Sequence, residues 1–158
     1  MYKCAMESLE AAGYQQYEIS SFARSGGRCR HNEVYWANEA FLGVGVGAAA
    51  YVNGTRTLNV RSTQDYIRRL FAGETPVFQS ETLAPEERAR ETLSVNLRRA
   101  GGVGRERFCE QTGLDLDDLA GAALARHVAA GRMVDDGAAV RLTRSGRCVA
   151  DSIVTDLL

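Results

Sequence analysis

The stretch MVDDGAAVRLTRSG, residues 133–146, decides the fold of the C-terminal half. Met133-Val134 and Val140–Leu142 are two short strand-like runs, and the Asp135-Asp136-Gly137 sequence between them is typical of a hairpin turn. Thr143 follows the second run as the predicted N-cap of a last helix. The apolar residues of that helix recur every four positions, as Val149, Ile153 and Leu157.

Three helices are predicted before this hairpin. The first begins at Pro85, carries an apolar repeat of Ala89, Leu93 and Leu97, and ends at Gly101-Gly102. The second covers Arg105–Thr112 and stops at Gly113. The third is capped by Asp117, carries Leu119, Ala123, Leu124 and Val128, and ends at Gly131. Three helices, a hairpin and a last helix are the element order of a winged-helix-like domain.

The N-terminal half predicts helices mixed with strands. We expect a helix from Tyr2 to Ala12, a strand over Tyr14–Phe22, an irregular stretch from Ala23 to Ala40, and a strand over Phe41–Val52. Asn53-Gly54 is a strong hairpin signal, and Thr55–Val60 is the expected return strand. A helix opening at Ser62-Thr63 should bury Tyr66, Ile67, Leu70 and Phe71 and end at Gly73. Glu74–Leu83 is interpreted as a connection that contains the domain boundary.

The composition is that of a folded, near-neutral protein. Of 158 residues, 45% are hydrophobic and 25% charged, which excludes a disordered chain. The net charge is −1, and residues 84–158 hold 11 basic against 12 acidic side chains, so no nucleic-acid partner is expected. No apolar run reaches the length of a membrane helix, and no signal peptide is recognisable. We therefore expect a cytoplasmic protein.

Few residues in the chain suggest chemistry. The four cysteines, Cys4, Cys29, Cys109 and Cys148, lie far apart without metal-ligand spacing, which favours buried or idle thiols in a reducing compartment. His127, near a predicted helix end, is interpreted as structural and solvated or favoured by the helix dipole.

The segment Cys29–Trp36 combines imidazole, amide and aromatic side chains beside arginines. It could hold a planar ligand with carboxylates, or it could be a surface loop with one buried tryptophan.

The alternating glycines Gly43, Gly45 and Gly47 could suggest a dinucleotide-binding turn. That turn requires a helix to begin at the glycines, and here the Asn53-Gly54 turn follows too soon. The glycines instead predict a close approach, either of another backbone or of a flat ligand.

Several ordered motifs together carry a resemblance to a known family. They are Gly13-Tyr14, the run Gln16–Ala23, Cys29-Arg30-His31-Asn32 with Tyr35-Trp36, the glycine run with Tyr51, Gly54, Arg56 and Asn59, and Arg141-Leu142-Thr143 with Gly146. In this order they resemble the heme chaperone branch of the radical S-adenosylmethionine (SAM) proteins. That branch is related to oxygen-independent coproporphyrinogen III oxidase.

The resemblance implies an α/β to α+β fold, in which residues 1–78 end a partial (β/α) barrel and residues 79–158 form the winged-helix-like domain. The family's CxxxCxxC triad, which binds a 4Fe-4S cluster and SAM, has no counterpart here. The chain should therefore bind no cluster and be inactive alone, and the N-terminal half of the barrel would be its missing partner.

The same resemblance implies a heme site at His31, Asn32, Tyr35 and Trp36, with Arg28 and Arg30 as candidate partners of the propionates. It also places Gly47, Ala48 and Ala49 near SAM. The family pattern Gly-Ala-His-Ser-Tyr reads Gly47-Ala48-Ala49-Ala50-Tyr51 here, which leaves His31 as the candidate axial ligand.

The implied function of the complete protein is to bind heme and pass it to an acceptor hemoprotein, in the cytoplasm or at the membrane surface. Coproporphyrinogen oxidation and a stand-alone binding module without catalysis are the alternatives.

Overall fold

A computed structural model describes all 158 residues of the chain. The helices are α1 (Tyr2–Ala11), α2 (Arg30–Trp36), α3 (Thr63–Phe71), α4 (Pro85–Asn96), α5 (Arg105–Thr112), α6 (Leu116–Ala129), α7 (Arg144–Arg147) and α8 (Ala150–Leu157). The strands are β1 (Gln15–Glu18), β2 (Ser21–Ala23), β3 (Ala49–Val52), β4 (Thr55–Asn59), β5 (Val77–Thr82), β6 (Val103–Gly104), β7 (Met133–Asp135) and β8 (Ala139–Leu142). None of these helices combines the length and the apolar character needed to span a bilayer.

The chain divides into two compact units. One contains Met1–Asn38 and Glu86–Leu158, and the other contains Glu39–Pro85. Three small antiparallel sheets, ordered β1-β2, β3-β4-β5 and β6-β8-β7, make this a mixed α/β fold without a closed barrel. The division into domains 1–78 and 79–158 stays a prediction. A domain is defined by its ability to fold independently, and that property is tested by expressing each part separately.

The core of the first unit forms where α4, α5, α6 and α8 pack on the hairpin of β7 and β8. Its fully buried side chains include Leu93, Leu97, Phe108, Val140 and Ile153. The four-residue apolar repeat therefore lies on the buried side of α4, as predicted. The hairpin is also confirmed, and β6 adds a third strand that the two-residue run Val103-Gly104 was too short to signal.

Three helix boundaries in this unit differ from the sequence expectation. Helix α4 ends at Asn96 and not at Gly101-Gly102. The side chain of Asp115, and not that of Asp117, caps α6 by accepting from the backbone N–H groups of Asp117 and Asp118. Thr143 caps α7 as expected, but the last helix is broken, because Val149 adopts φ −130° between α7 and α8. Val149 is consequently 44% exposed, whereas Ile153 and Leu157 are buried.

The region 14–40 is more structured than predicted. The expected single strand over Tyr14–Phe22 is a hairpin of β1 and β2 with a register shift between Gln16 and Glu18. The expected irregular stretch 23–40 contains α2, which lacks a side-chain N-cap and therefore had no sequence signal.

The second unit contains the glycine run and a three-stranded sheet. Only Ala49–Val52 of the expected strand Phe41–Val52 is a strand, because Gly45 and Gly47 adopt positive φ angles of 109° and 66°. The turn at Asn53-Gly54 is confirmed, with Val52 opposite Thr55. The expected connection Glu74–Leu83 instead contains β5, which pairs with β4.

Helix α3 begins as expected at Ser62, whose hydroxyl accepts from the backbone N–H of Asp65. Its expected buried face is not buried in this chain. Tyr66 is half-buried, while Ile67, Leu70 and Phe71 are 48%, 50% and 90% exposed. The amphipathic pattern thus predicted the helix correctly, but the burial that it predicted for the apolar face is not observed in this chain.

Candidate functional site

The candidate heme residues lie together on α2. His31 is exposed in the first turn, and its ring meets that of Tyr35 edge-on, with the centroids 4.8 Å apart and the planes at 86°. The two residues are four positions apart and therefore share a helix face. Asn32 and Trp36, also four apart, are half-buried on α2. The structure thus brings the four residues onto one short helix.

The two candidate propionate partners differ in how they are engaged. Arg28 lies 3.6 Å from the Glu33 carboxylate, and its guanidinium stands 5.7 Å from the centroid of the Tyr17 ring. Its charge is therefore partly balanced within the protein. Arg30 is exposed at the first residue of α2, directly before His31.

Trp36 lies at the end of α2 against Arg98. The guanidinium carbon of Arg98 stands 5.0 Å from the centroid of the indole, which is cation–π geometry. The indole Nε1 is buried without a hydrogen-bond partner. Trp36 is thus held by its ring face and not by its polar edge.

Glu18, whose carboxylate accepts a hydrogen bond from Arg98, was not identified from the sequence. This carboxylate is buried, and its Oε2 accepts from the backbone N–H and hydroxyl of Ser20 and the hydroxyl of Ser21. Its Oε1 accepts from Arg98 Nε at 3.3 Å. The pattern Glu-x-Ser-Ser is the local signal for the serine contacts, but Arg98 lies 80 residues away in sequence.

The C-terminal end of α2 is also bound by other parts of the same unit. Gln111 Nε2 donates to the carbonyls of Ala37 and Asn38 at 3.0 and 2.8 Å. The Asn38 amide donates to the Thr92 hydroxyl at 3.0 Å.

The residues implied near SAM lie in the second unit. The Gly47 N–H donates to the Val60 carbonyl, and the Ala48 carbonyl accepts from the Asn59 N–H. Ala49 begins β3 with an exposed side chain. A Cβ at Gly43 would stand 2.1 Å from the Ala49 carbonyl oxygen, so one glycine of the run serves a close backbone approach.

The donor set of this chain does not suit an iron–sulfur cluster. All four cysteines are free and exposed, so of the two expectations, buried or idle thiols, burial is wrong. No group of three His, Cys, Asp or Glu side chains is placed to hold a metal ion. His127 was expected to be structural, either solvated or favoured by the helix dipole. It is buried, which excludes the solvated alternative, and its Nε2 lies 3.1 Å from an oxygen of Asp156.

Comparison with known proteins gives consistent relatives. Residues 83–149 match the HemN C-terminal domain family. The heme chaperone HemW of Bacillus subtilis is 36% identical over 97% of this chain and 40% of its own length. HemW of Mycobacterium tuberculosis is 33% identical over 99% of this chain and 38% of its own length. The chain thus spans about two fifths of the length of these relatives.

A solved structure supports the fold. The coproporphyrinogen III oxidase HemN from Escherichia coli, a radical SAM enzyme, matches 98% of this chain and 39% of its own chain with a TM-score of 0.73, at 16% identity. At that identity the likeness concerns the fold alone. The matched HemN C-terminal domain and the HemW relatives show that the chain belongs to the radical SAM heme chaperone family related to HemN and corresponds to a C-terminal portion of such proteins.

Proposed function

We propose that this chain is the heme-binding portion of a heme chaperone, which binds heme and passes it to an acceptor hemoprotein. The observation that carries the proposal is the arrangement on α2, where an exposed imidazole and two aromatic rings lie within two helical turns. The heme chaperone relatives covering nearly the whole chain support it.

The side chains of α2 match the chemistry of heme. An exposed imidazole is a common axial ligand of heme iron, and His31 offers one. Tyr35 and Trp36 supply flat faces against which a porphyrin can stack. Arg30, and Arg28 if it exchanges Glu33 for a ligand, would pair with the propionates, since guanidinium groups match carboxylates. Asn32 would supply an amide hydrogen bond next to the iron ligand.

The remaining parts of the proposal concern the complete protein. A 4Fe-4S cluster and SAM would be held by the N-terminal barrel half, because the cysteines of this chain do not suit a cluster. Gly47, Ala48 and Ala49 would line the SAM side of that barrel, and residues 79–158 would form its winged-helix-like accessory domain. The composition continues to predict a cytoplasmic protein, with attachment to the membrane surface as an open alternative.

Titration with hemin tests the heme site. The wild-type chain should shift the hemin Soret band at 1:1 stoichiometry, and His31→Ala should lose that shift. Because the chain has only two histidines, His127→Gln is a matched control that should keep it. An identical Soret spectrum in His31→Ala would contradict the role of His31.

Transfer and catalysis need separate assays. The hemin-loaded chain should release heme to excess apomyoglobin, which is a probe of release and not the acceptor itself. Coproporphyrinogen III oxidation is the competing activity for the complete protein. Anaerobic decarboxylation of coproporphyrinogen with SAM would favour it over the chaperone function.

A further inference from the structure

Helix α2 cannot hold its own position. It has seven residues, no side-chain N-cap and no buried residue. Isolated helices much shorter than about 12 residues are marginal in water, because nucleation costs more than so few hydrogen bonds return. The conformation and orientation of α2 must therefore come from its contacts with the rest of the unit.

One of these contacts is made by Arg98, and it depends on the buried carboxylate of Glu18. A buried charge is tolerated only when it is paired and hydrogen-bonded. Here the Ser20 backbone N–H and the hydroxyls of Ser20 and Ser21 satisfy one oxygen, and Arg98 satisfies the other. The backbone of the hairpin is fixed to the same region, because the Ile19 N–H donates to the Arg98 carbonyl and the Ala100 N–H to the Tyr17 carbonyl. Glu18 is thus a rigid anchor.

Arg98 connects this anchor to α2. Its Nε donates to Glu18 while the face of Trp36 lies 5.0 Å from its guanidinium carbon. Its second acidic neighbour, Asp151, is 3.6 Å away with a side chain 98% exposed, so that pair contributes little. The guanidinium is therefore oriented by Glu18 and in turn orients the indole.

Gln111 makes a second, independent set of hydrogen bonds at the end of the same helix. Its side-chain amide donates to the carbonyls of Ala37 and Asn38, which follow the last turn of α2. Arg98 and Gln111 both lie within residues 83–149, the segment that matches the HemN C-terminal domain.

From these contacts, we propose that Arg98, anchored by Glu18, is a positioning residue that fixes Trp36 and with it the heme-binding orientation of α2. The inference rests on the proposed heme site. It gives the C-terminal domain a task in heme binding, since that domain preorganises a helix too short to order itself. Preorganisation raises affinity, because the apparent dissociation constant rises as the competent fraction falls.

The test uses four variants of the full chain. Arg98→Gln removes the cation, and Arg98→Lys keeps it. Gln111→Met removes the second set of hydrogen bonds without touching the Glu18 anchor. Arg107→Gln is the charge-matched control, because Arg107 lies on α5 with a side chain 65% exposed and pairs with Glu110. Far-UV circular dichroism and the thermal midpoint report whether each variant folds.

The first readout needs no ligand. Trp36 is the only tryptophan, so the emission of the chain reports on this residue alone. Arg98→Gln should shift the emission to longer wavelength and increase acrylamide quenching, Arg98→Lys should lie between it and wild type, and Arg107→Gln should match wild type. Unchanged emission and quenching in Arg98→Gln would overturn the inference while leaving the proposed function untouched.

The second readout is hemin affinity. Loss of one cation–π contact should weaken hemin binding about threefold to thirtyfold in Arg98→Gln, with partial recovery in Arg98→Lys. Should Arg98→Gln fail to fold, Arg98→Lys carries the test with its smaller loss of affinity, while Gln111→Met measures the second contact of α2 separately. Wild-type affinity in a folded Arg98→Gln, or in Arg98→Lys if Arg98→Gln does not fold, overturns the inference. Absence of hemin binding by the wild type overturns the proposed function, and the inference falls with it.

Discussion

Replacing Ile153 and Val149 by alanine separates the apolar pattern of the last helix from its actual packing. The sequence places the two residues on one stripe, but the break between α7 and α8 leaves Val149 44% exposed and Ile153 fully buried. The two substitutions should therefore differ strongly in their effect on the free energy of unfolding.

The expected magnitudes follow from burial. Ile153→Ala removes three carbon atoms from the core, worth about 0.8 kcal/mol each, and the cavity that remains raises the total loss to about 3–4 kcal/mol. Val149→Ala removes two carbon atoms from a half-exposed site and should cost about 1 kcal/mol or less. Since small proteins are stable by only about 5–15 kcal/mol, the first loss is a large fraction of the total.

Urea unfolding followed by the fluorescence of Trp36 measures this difference. Trp36 and Ile153 lie in the same compact unit, so the probe reports on the unit that carries the substitution. With an m-value of about 2 kcal/mol/M, Ile153→Ala should lower the midpoint by about 1.5–2 M, and Val149→Ala by about 0.5 M or less. Equal midpoint losses would refute the reasoning, because they would mean that one continuous helix buries both side chains.

Two further predictions concern the glycine run and the pH dependence of stability. Gly43→Ala should lower the thermal midpoint, since its Cβ would stand 2.1 Å from the Ala49 carbonyl oxygen, and an unchanged midpoint by calorimetry would contradict that close approach. The Arg105 guanidinium and the Gly137 N–H hold the pKa of Asp135 below its ordinary 3.8, so this carboxylate stabilises the fold above about pH 4 and loses that effect as the pH falls through its folded pKa. Asp135→Asn should make the loss of thermal stability below about pH 4 less steep, and an unchanged acid slope would contradict this role of the carboxylate.

Local signals in the sequence were sufficient for many of the elements. Ser62 and Thr143 cap helices as predicted, because a hydroxyl that accepts from a backbone N–H three residues on needs no distant partner. The hairpin of β7 and β8 and the buried repeat on α4 were predictable for the same reason. Each depends on residues within a few positions of one another.

The candidate site was predictable as a set of residues but not as a geometry. The motif around His31 predicted which side chains to consider, and the structure shows that they share a helix. That helix has no capping or periodic signal in its own sequence. Its position is instead stabilised by side chains such as Gln111, which lies more than 70 residues away in the chain.

The sequence by itself determined the composition class, the family, the hairpin turns and the amphipathic helices, because these depend on short-range chemistry. Only the tertiary structure decided that β5 and β6 are strands, that Val149 is exposed, and that Glu18 and Arg98 meet across 80 residues. Those outcomes depend on which backbone segments and charged side chains, distant in sequence, lie next to one another in the folded chain. No local pattern encodes that proximity, since a buried carboxylate and its guanidinium partner become favourable only once the fold has removed both from water.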